Sequence, residues 1–243
     1  MTTVRLGDQD VPFGPWVCDC SEWQLRQEER RLRRQLQREQ EEHERRRKRI
    51  EALFQASGLP ARWRRRTFRD FEVNDQNREA YERALRFAEA FDPREGEGLL
   101  FVGPVGTGKT HLAAAIALEL LAQEHTVVFG TIGSLLAELR STFDESARET
   151  EAAVLRRLKR CDLLVLDDLG KEKVTEWVEQ VVFEVVNARY EEQRSLIVTT
   201  NMPLREVRAR YPNVGEALVD RILEMCDGVR LEGASWRRRG LAQ

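Results

Sequence analysis

Between residues 99 and 200, short runs of apolar and β-branched residues alternate with longer mixed stretches. The runs at 99–102, 126–130, 163–166 and 195–199 have the length and composition of strands. The intervening stretches at 109–123, 132–141, 152–160 and 175–192 read as helices, as do 77–91 and 216–225. Strands separated by helices imply a parallel sheet covered on both faces. Upstream the pattern is different. Residues 21–55 contain no Gly or Pro and consist mainly of Arg, Glu, Gln and Leu, which predicts one long helix. Its apolar positions are Trp23, Leu25, Leu32 and Leu36, then Ile50, Leu53 and Phe54, and 37–49 carries no apolar stripe. Such a helix has no deep core along its length; it is an arm, or it packs on a partner. Ser57-Gly58-Leu59-Pro60 ends it. Residues 1–19, with Gly7, Pro12, Gly14 and Pro15, read as an irregular lead-in without a packed element. The expected division is an arm at 1–60 and a larger domain at 61–243.

Length and composition narrow this picture. A chain of 243 residues suffices for one full-sized domain and an appendage, and 41% hydrophobic residues can build a core. The longest apolar run, 112–118, is far short of the roughly 18 residues of a spanning helix, and the N-terminus carries no signal pattern. The expectation is a cytoplasmic protein without membrane contact. Cys18, Cys20, Cys161 and Cys226 do not form a disulfide framework. The net charge of -2 conceals a division: residues 22–69 hold 16 Lys+Arg and 8 Asp+Glu, a balance of +8, so the remainder sums to -10. Such asymmetry points to a polyanionic or acidic partner, or to a solvated helix face.

The chemistry is concentrated after the first strand of the alternating region. Gly103-Pro104-Val105-Gly106-Thr107-Gly108-Lys109-Thr110, followed by His111, satisfies G-x-x-x-x-G-K-[ST] between a predicted strand and a predicted helix. That context lets glycine backbone N–H groups and a helix N-terminus surround phosphates, with Lys109 reaching the β- and γ-phosphates and Thr110 a Mg²⁺ ion. The run 163–166 ends in Asp167 and Asp168. Asp167 is the expected Mg²⁺ contact, and Asp168 is placed to orient an attacking water and take its proton. The last strand runs into Asn201, whose amide can hydrogen-bond a phosphate or the water without adding charge.

Taken together, residues 67–243 resemble the AAA+ ATPases of the helicase-loader and IstB transposition-helper group. The resemblance is carried by the phosphate loop, Leu163 to Gly170, Asn187 to Tyr190, Ile197-Val198-Thr199-Thr200-Asn201, Val219-Asp220-Arg221-Ile222-Leu223-Glu224 and Gly233-Ala234-Ser235-Trp236-Arg237. It implies an α/β P-loop NTPase sheet sandwiched by helices, with an abbreviated C-terminal lid, since only 42 residues follow Asn201 (243 minus 201). It also implies that Asn201 is the sensor-1 residue, Arg221 an arginine finger given to a neighbouring subunit, and Arg237 the sensor-2 arginine. Asp168 stands where many AAA+ proteins have Glu, which implies slow hydrolysis. Gly58 to Arg64 and Thr67-Phe68-Arg69-Asp70-Phe71 are similar to the lead-in of the loader type. The zinc-binding versions carry two cysteine pairs, whereas Cys18 and Cys20 stand alone, so zinc is not expected.

What the resemblance implies is an ATP- and Mg²⁺-dependent ATPase that loads a hexameric replicative helicase in DNA replication. It would bind single-stranded DNA and assemble with its own copies when ATP-bound. Trp23, Leu25, Leu32 and Leu36 are the expected helicase contact, with the basic cluster 62–66 flanking it or DNA. The alternatives are a transposition helper on duplex DNA and an ATP-gated adaptor that does not hydrolyse.

Overall fold

The structure is a computed structural model that describes residues 2–6, 9–13, 21–144, 149–233 and 235–236, with side chains from residue 25 onward. Contacts divide the chain into two compact units, Met1–Lys48 and Arg49–Gln243.

The smaller unit corrects one expectation. Residues 2–13 are not irregular: β1 (Thr2–Leu6) and β2 (Gln9–Phe13) form an antiparallel pair with Val4 opposite Val11. Two five-residue runs separated by Gly7-Asp8 carry a hairpin signal, which Pro12 obscures; a proline is tolerated on a strand with a free edge. Helix α1 (Ser21–Ala56) follows as one uninterrupted element, as its composition requires. Its residues 25–49 are all exposed. The last turns belong to the larger unit, where Leu53 and Phe54 pack against the core.

The larger unit has α2 (Arg78–Glu89), β3 (Gly98–Val102), α3 (Lys109–Ala122), β4 (Val127–Thr131), α4 (Ile132–Ser141) and α5 (Glu151–Arg160). It continues with β5 (Leu163–Asp167), α6 (Glu176–Glu191), β6 (Ser195–Thr200), α7 (Leu204–Arg210), α8 (Gly215–Met225) and β7 (Cys226–Arg230). The sheet order is β4-β5-β6-β3-β7 and every pairing is parallel. Strand alternation divides the core between the two faces. Leu99, Phe101, Leu163, Val165 and Ile197 face α2 and α3, whereas Leu100, Leu164, Leu166, Leu196 and Val198 face α4 to α8. Helix α3 is buried along 112–117 on nearly every side, which is why its sequence shows little amphipathic pattern.

Strand β7 and helix α7 were also not foreseen. Strand β7 adds to the β3 edge in register, Gly98 opposite Cys226 and Val102 opposite Arg230, yet only Cys226 and Val229 of its five residues are buried. Neither an apolar run nor a clean alternation marks it. Helix α7 is only seven residues long and follows Pro203 directly. Arg189 at the end of α6 is fully buried without a carboxylate among its partners. Its guanidinium donates to the carbonyls of Leu158 (2.8 Å), Cys161 (3.0 Å) and Ser195 (2.6 Å), tying the end of α5 to the starts of β5 and β6. Five fixed donors suit it to gathering several carbonyls at once.

Candidate functional site

The phosphate loop crosses the carboxyl end of β3, the edge at which parallel sheets bind ligands. Gly108 caps α3 at φ 107°, and a Cβ there would fall 2.7 Å from the Phe71 ring. At Gly106 (φ 86°) a Cβ would meet the Ser235 hydroxyl at 2.0 Å, so the loop packs closely from two sides. Lys109 is 4% exposed, and its ammonium donates to the carbonyls of Gly103 and Pro104, both at 2.7 Å. Thr107 donates to the Pro104 carbonyl at 3.0 Å, which holds the curl of the loop.

Strand β5 delivers its two carboxylates to the same place. Asp167 is 1% exposed, and its Oδ1 accepts from the Thr110 hydroxyl at 2.9 Å and from the Thr199 hydroxyl at 2.7 Å. Burial pushes its carboxyl above the usual range, against the opposing effect of those hydroxyls. Asp168 turns out of the strand at φ 60°, a conformation costing about 1–3 kcal/mol outside glycine. Its backbone N–H donates to Thr199 Oγ1 at 2.9 Å, and the neighbouring Leu169 N–H to the Thr199 carbonyl at 2.9 Å, which fixes the turn. Lys171 Nζ lies 2.7 Å from Asp168 Oδ2, and Asn201 Nδ2 donates to Oδ1 at 3.3 Å. Both carboxylate oxygens are therefore engaged.

Lys109, Thr110, Asp168, Lys171 and Asn201 line a cavity of about 410 Å³ together with Trp63, Arg66, Asp70, Phe71, His111 and Trp236, a size within the range of small-molecule sites. His111 sets its Nε2 2.9 Å from the Thr67 carbonyl and its ring edge-on to Phe71; burial lowers its pKa. The backbone N–H of Trp236 donates to the Gly106 carbonyl at 3.0 Å, drawing that residue onto the loop.

The structure thus brings together Gly103 to His111, Asp167, Asp168 and Asn201. Arg221 is elsewhere: on α8 its guanidinium lies over the rings of Phe183 (4.8 Å) and Tyr190 (5.5 Å) and donates to the Ala217 carbonyl at 3.3 Å. It does not line this cavity. Arg237, Cys18 and Cys20 lie outside the described residues, as does the side chain of Trp23. The four arginines of the basic cluster, Arg62, Arg64, Arg65 and Arg66, are all exposed, and some of the cluster also has contacts within the larger unit. Trp63 and Arg66 form part of the cavity wall, and Arg64 stacks on Phe54 while donating to the Leu59 carbonyl at 3.2 Å.

Sequence reasoning missed Lys171 and the specific work of Thr199. A threonine directly after the apolar stretch Leu196-Ile197-Val198 was the available signal for the second, since a buried hydroxyl needs partners. For Lys171 a spacing of three residues from Asp168 was the only hint.

The donor set fits a hard divalent cation. Thr110 Oγ1 and Asp167 Oδ1 offer hydroxyl and carboxylate oxygens side by side beside the phosphate loop, the ligand type Mg²⁺ prefers when most of its shell is water and substrate phosphate. Among the described residues no cluster of three or more His, Cys, Asp or Glu is arranged to hold a metal alone. Among them too, no helix is long and apolar enough to cross a membrane.

Comparison with known proteins adds independent findings. The profile of the family described as IstB-like ATP binding protein matches residues 24–243. The Escherichia coli protein YdaV, described as uncharacterized, is 30% identical over 224 residues, 91% of this chain and 85% of its own length. A putative insertion sequence ATP-binding protein of Sinorhizobium fredii, y4iQ/y4nD/y4sD, is 35% identical over 147 residues; they make up 60% of this chain and 48% of that protein, about half its length. The crystal structure of the DnaC helicase loader superposes with a TM-score of 0.63 at 28% identity, covering 71% of this chain and all of that one.

Proposed function

Because this chain belongs to the IstB-like ATP-binding family, with the AAA+ P-loop fold, we propose that it hydrolyses ATP with Mg²⁺ and loads a replicative helicase onto single-stranded DNA. One observation carries the ATPase reading: Thr110 on α3, Asp167 at the end of β5 and Asp168 after it, Thr199 on β6 and Asn201 after it converge beside the phosphate loop through bonds of 2.7 to 3.3 Å.

In this reading the loop amides and Lys109 bind the β- and γ-phosphates, with Lys109 exchanging its bonds to the Gly103 and Pro104 carbonyls for phosphate oxygens. Thr110 and Asp167 hold Mg²⁺, which when bound neutralises charge on those phosphates. Asp168 accepts the proton of the attacking water, and Asn201 orients that water or the γ-phosphate. Lys171 and Asn201 each engage one oxygen of Asp168, so an attacking water competes with two existing partners, which supports slow turnover at rest. Arg221 acts on the nucleotide of the next subunit, where a permanently charged fork stabilises the transferring phosphoryl group. Its place on α8, away from its own cavity, supports action between copies. Arg237 is the proposed sensor-2 arginine. Leu25, Leu32 and Leu36, each at least half exposed, are with Trp23 the proposed helicase contact.

The loader reading is supported by the superposition on the whole chain of the DnaC helicase loader crystal structure; the transposition-helper reading is favoured by the family description and the insertion sequence relative. Turnover with single-stranded and with duplex DNA separates them. Stimulation by single strands is the expected result, and stimulation by duplex alone selects the helper. Turnover no higher than that of an Asp168→Asn control in every condition sinks the ATPase reading and leaves an ATP-gated adaptor.

A further inference from the structure

Helix α1 has two unlike faces within the smaller unit. At 100° per residue, Arg30, Arg31, Arg34, Arg38, Arg45 and Lys48 fall in a sector roughly 100° wide. Glu41 is the one carboxylate inside it, and Glu42 lies at its margin. The rest of the circumference between 25 and 48 carries Arg26, Arg33, Arg46 and Arg47 against Glu28, Glu29, Glu39, Glu42 and Glu44. The sector thus nets +5 (six minus one) and the remainder -1 (four minus five). Leu25, Leu32 and Leu36 lie on the side opposite the basic sector. All these positions are exposed, and among the described residues none of the six cations sits within ion-pair distance of a carboxylate.

We infer that the basic face of α1 is a docking surface for the phosphodiester backbone of a nucleic acid. From Arg30 to Lys48 the stripe runs about 27 Å along a straight helix, so it presents a line of charge rather than a patch. A repeating anion is the complement of such a line. An acidic protein fits less well, because stable protein interfaces need buried apolar or aromatic anchors, and between Leu25 and Lys48 every apolar residue lies on the opposite side. The sector instead interleaves Arg with Gln27, a further donor to phosphate oxygens. The two faces allow the arm to hold a protein through its leucines and a nucleic acid through its arginines at the same time. The inference is independent of ATP hydrolysis, since it concerns no residue of the nucleotide site.

The test compares two full-length quadruple variants of equal charge change. R31Q/R34Q/R38Q/R45Q removes four cations from the stripe; R26Q/R33Q/R46Q/R47Q removes four from the other faces. Affinity for labelled single-stranded and duplex oligonucleotides is read by fluorescence anisotropy from 50 to 200 mM salt without nucleotide. The stripe variant is expected to lose at least about tenfold, with a log–log salt slope shallower by roughly 3. The matched variant should stay within about threefold of wild type, and R31K/R34K/R38K/R45K should bind like wild type. Whichever of the two oligonucleotides shows the larger loss identifies the strand type. Equal losses in both glutamine variants reduce the effect to net charge and overturn the proposal, as does undetectable wild-type binding at 50 mM salt. Unchanged binding by the stripe variant overturns it too, and loss of helicase association in that variant instead reassigns the face to a protein. ATP turnover by the stripe variant without nucleic acid should equal wild type; if turnover is absent from both, the ATPase reading fails while the anisotropy result stands.

Discussion

Two regions of one chain use charge in opposite ways. In the larger unit, Lys109, Asp167, Asp168 and Arg189 are buried or half-buried, and each is held by two or more named partners at 2.6 to 3.3 Å. Along α1 between 25 and 48, side chains of both signs stand in water. A buried charge is expensive unless every partner is in place, so its effect is specific and large. An exposed charge is screened, so it contributes weakly and as a sum.

That contrast predicts a descending series of effects. Arg221→Ala should suppress assembly-dependent ATP turnover by about 10³ to 10⁵, with nucleotide affinity measured by fluorescent analogue within about threefold of wild type. Equal turnover would remove Arg221 from the proposed chemistry and leave its stack on Phe183 and Tyr190 as packing. Lys109→Ala should weaken ATP binding by at least about 30-fold in direct titration, because loss of a charge-assisted phosphate contact costs about 2 kcal/mol or more. Retained affinity would break the phosphate-loop assignment. Arg189→Met should lower stability by about 3 kcal/mol and Tm by roughly 6–12 °C in a calorimetric scan, since it strands several buried carbonyls. A shift below 2 °C would mean those carbonyls find other donors. At the small end, Arg34→Gln alone should reduce nucleic-acid affinity about two- to fourfold and make the salt slope shallower by less than 1. A hundredfold loss there would show the arm to carry a specific contact, and the contrast between the two regions would collapse.

Much of the larger unit is legible in the local sequence. The phosphate loop, the strand ending in Asp167 and Asp168, and the strand ending before Asn201 all announced themselves through local spacing and an abrupt change from apolar to polar. Helix α1 was equally plain from composition. The antiparallel pair β1–β2 was not foreseen, because Gly7, Pro12, Gly14 and Pro15 among mixed polar residues read as irregular chain. Strand β7 was missed because an edge strand with two buried residues has no periodic signature.

What the sequence determined by itself is whatever depends on neighbours along the chain: the curl at Gly106 and Gly108, the helix that starts at Lys109, and the two carboxylates at a strand end. Only the tertiary structure decided that β6 lies between β5 and β3, so that Thr199 bridges the backbone of Asp168 and the carboxylate of Asp167. The same holds for Trp63, Arg66 and Trp236, which reach the cavity from segments more than 160 residues apart in sequence. Strand order and such long-range contacts follow from how apolar faces pack over the whole domain, and no local window of residues encodes that choice.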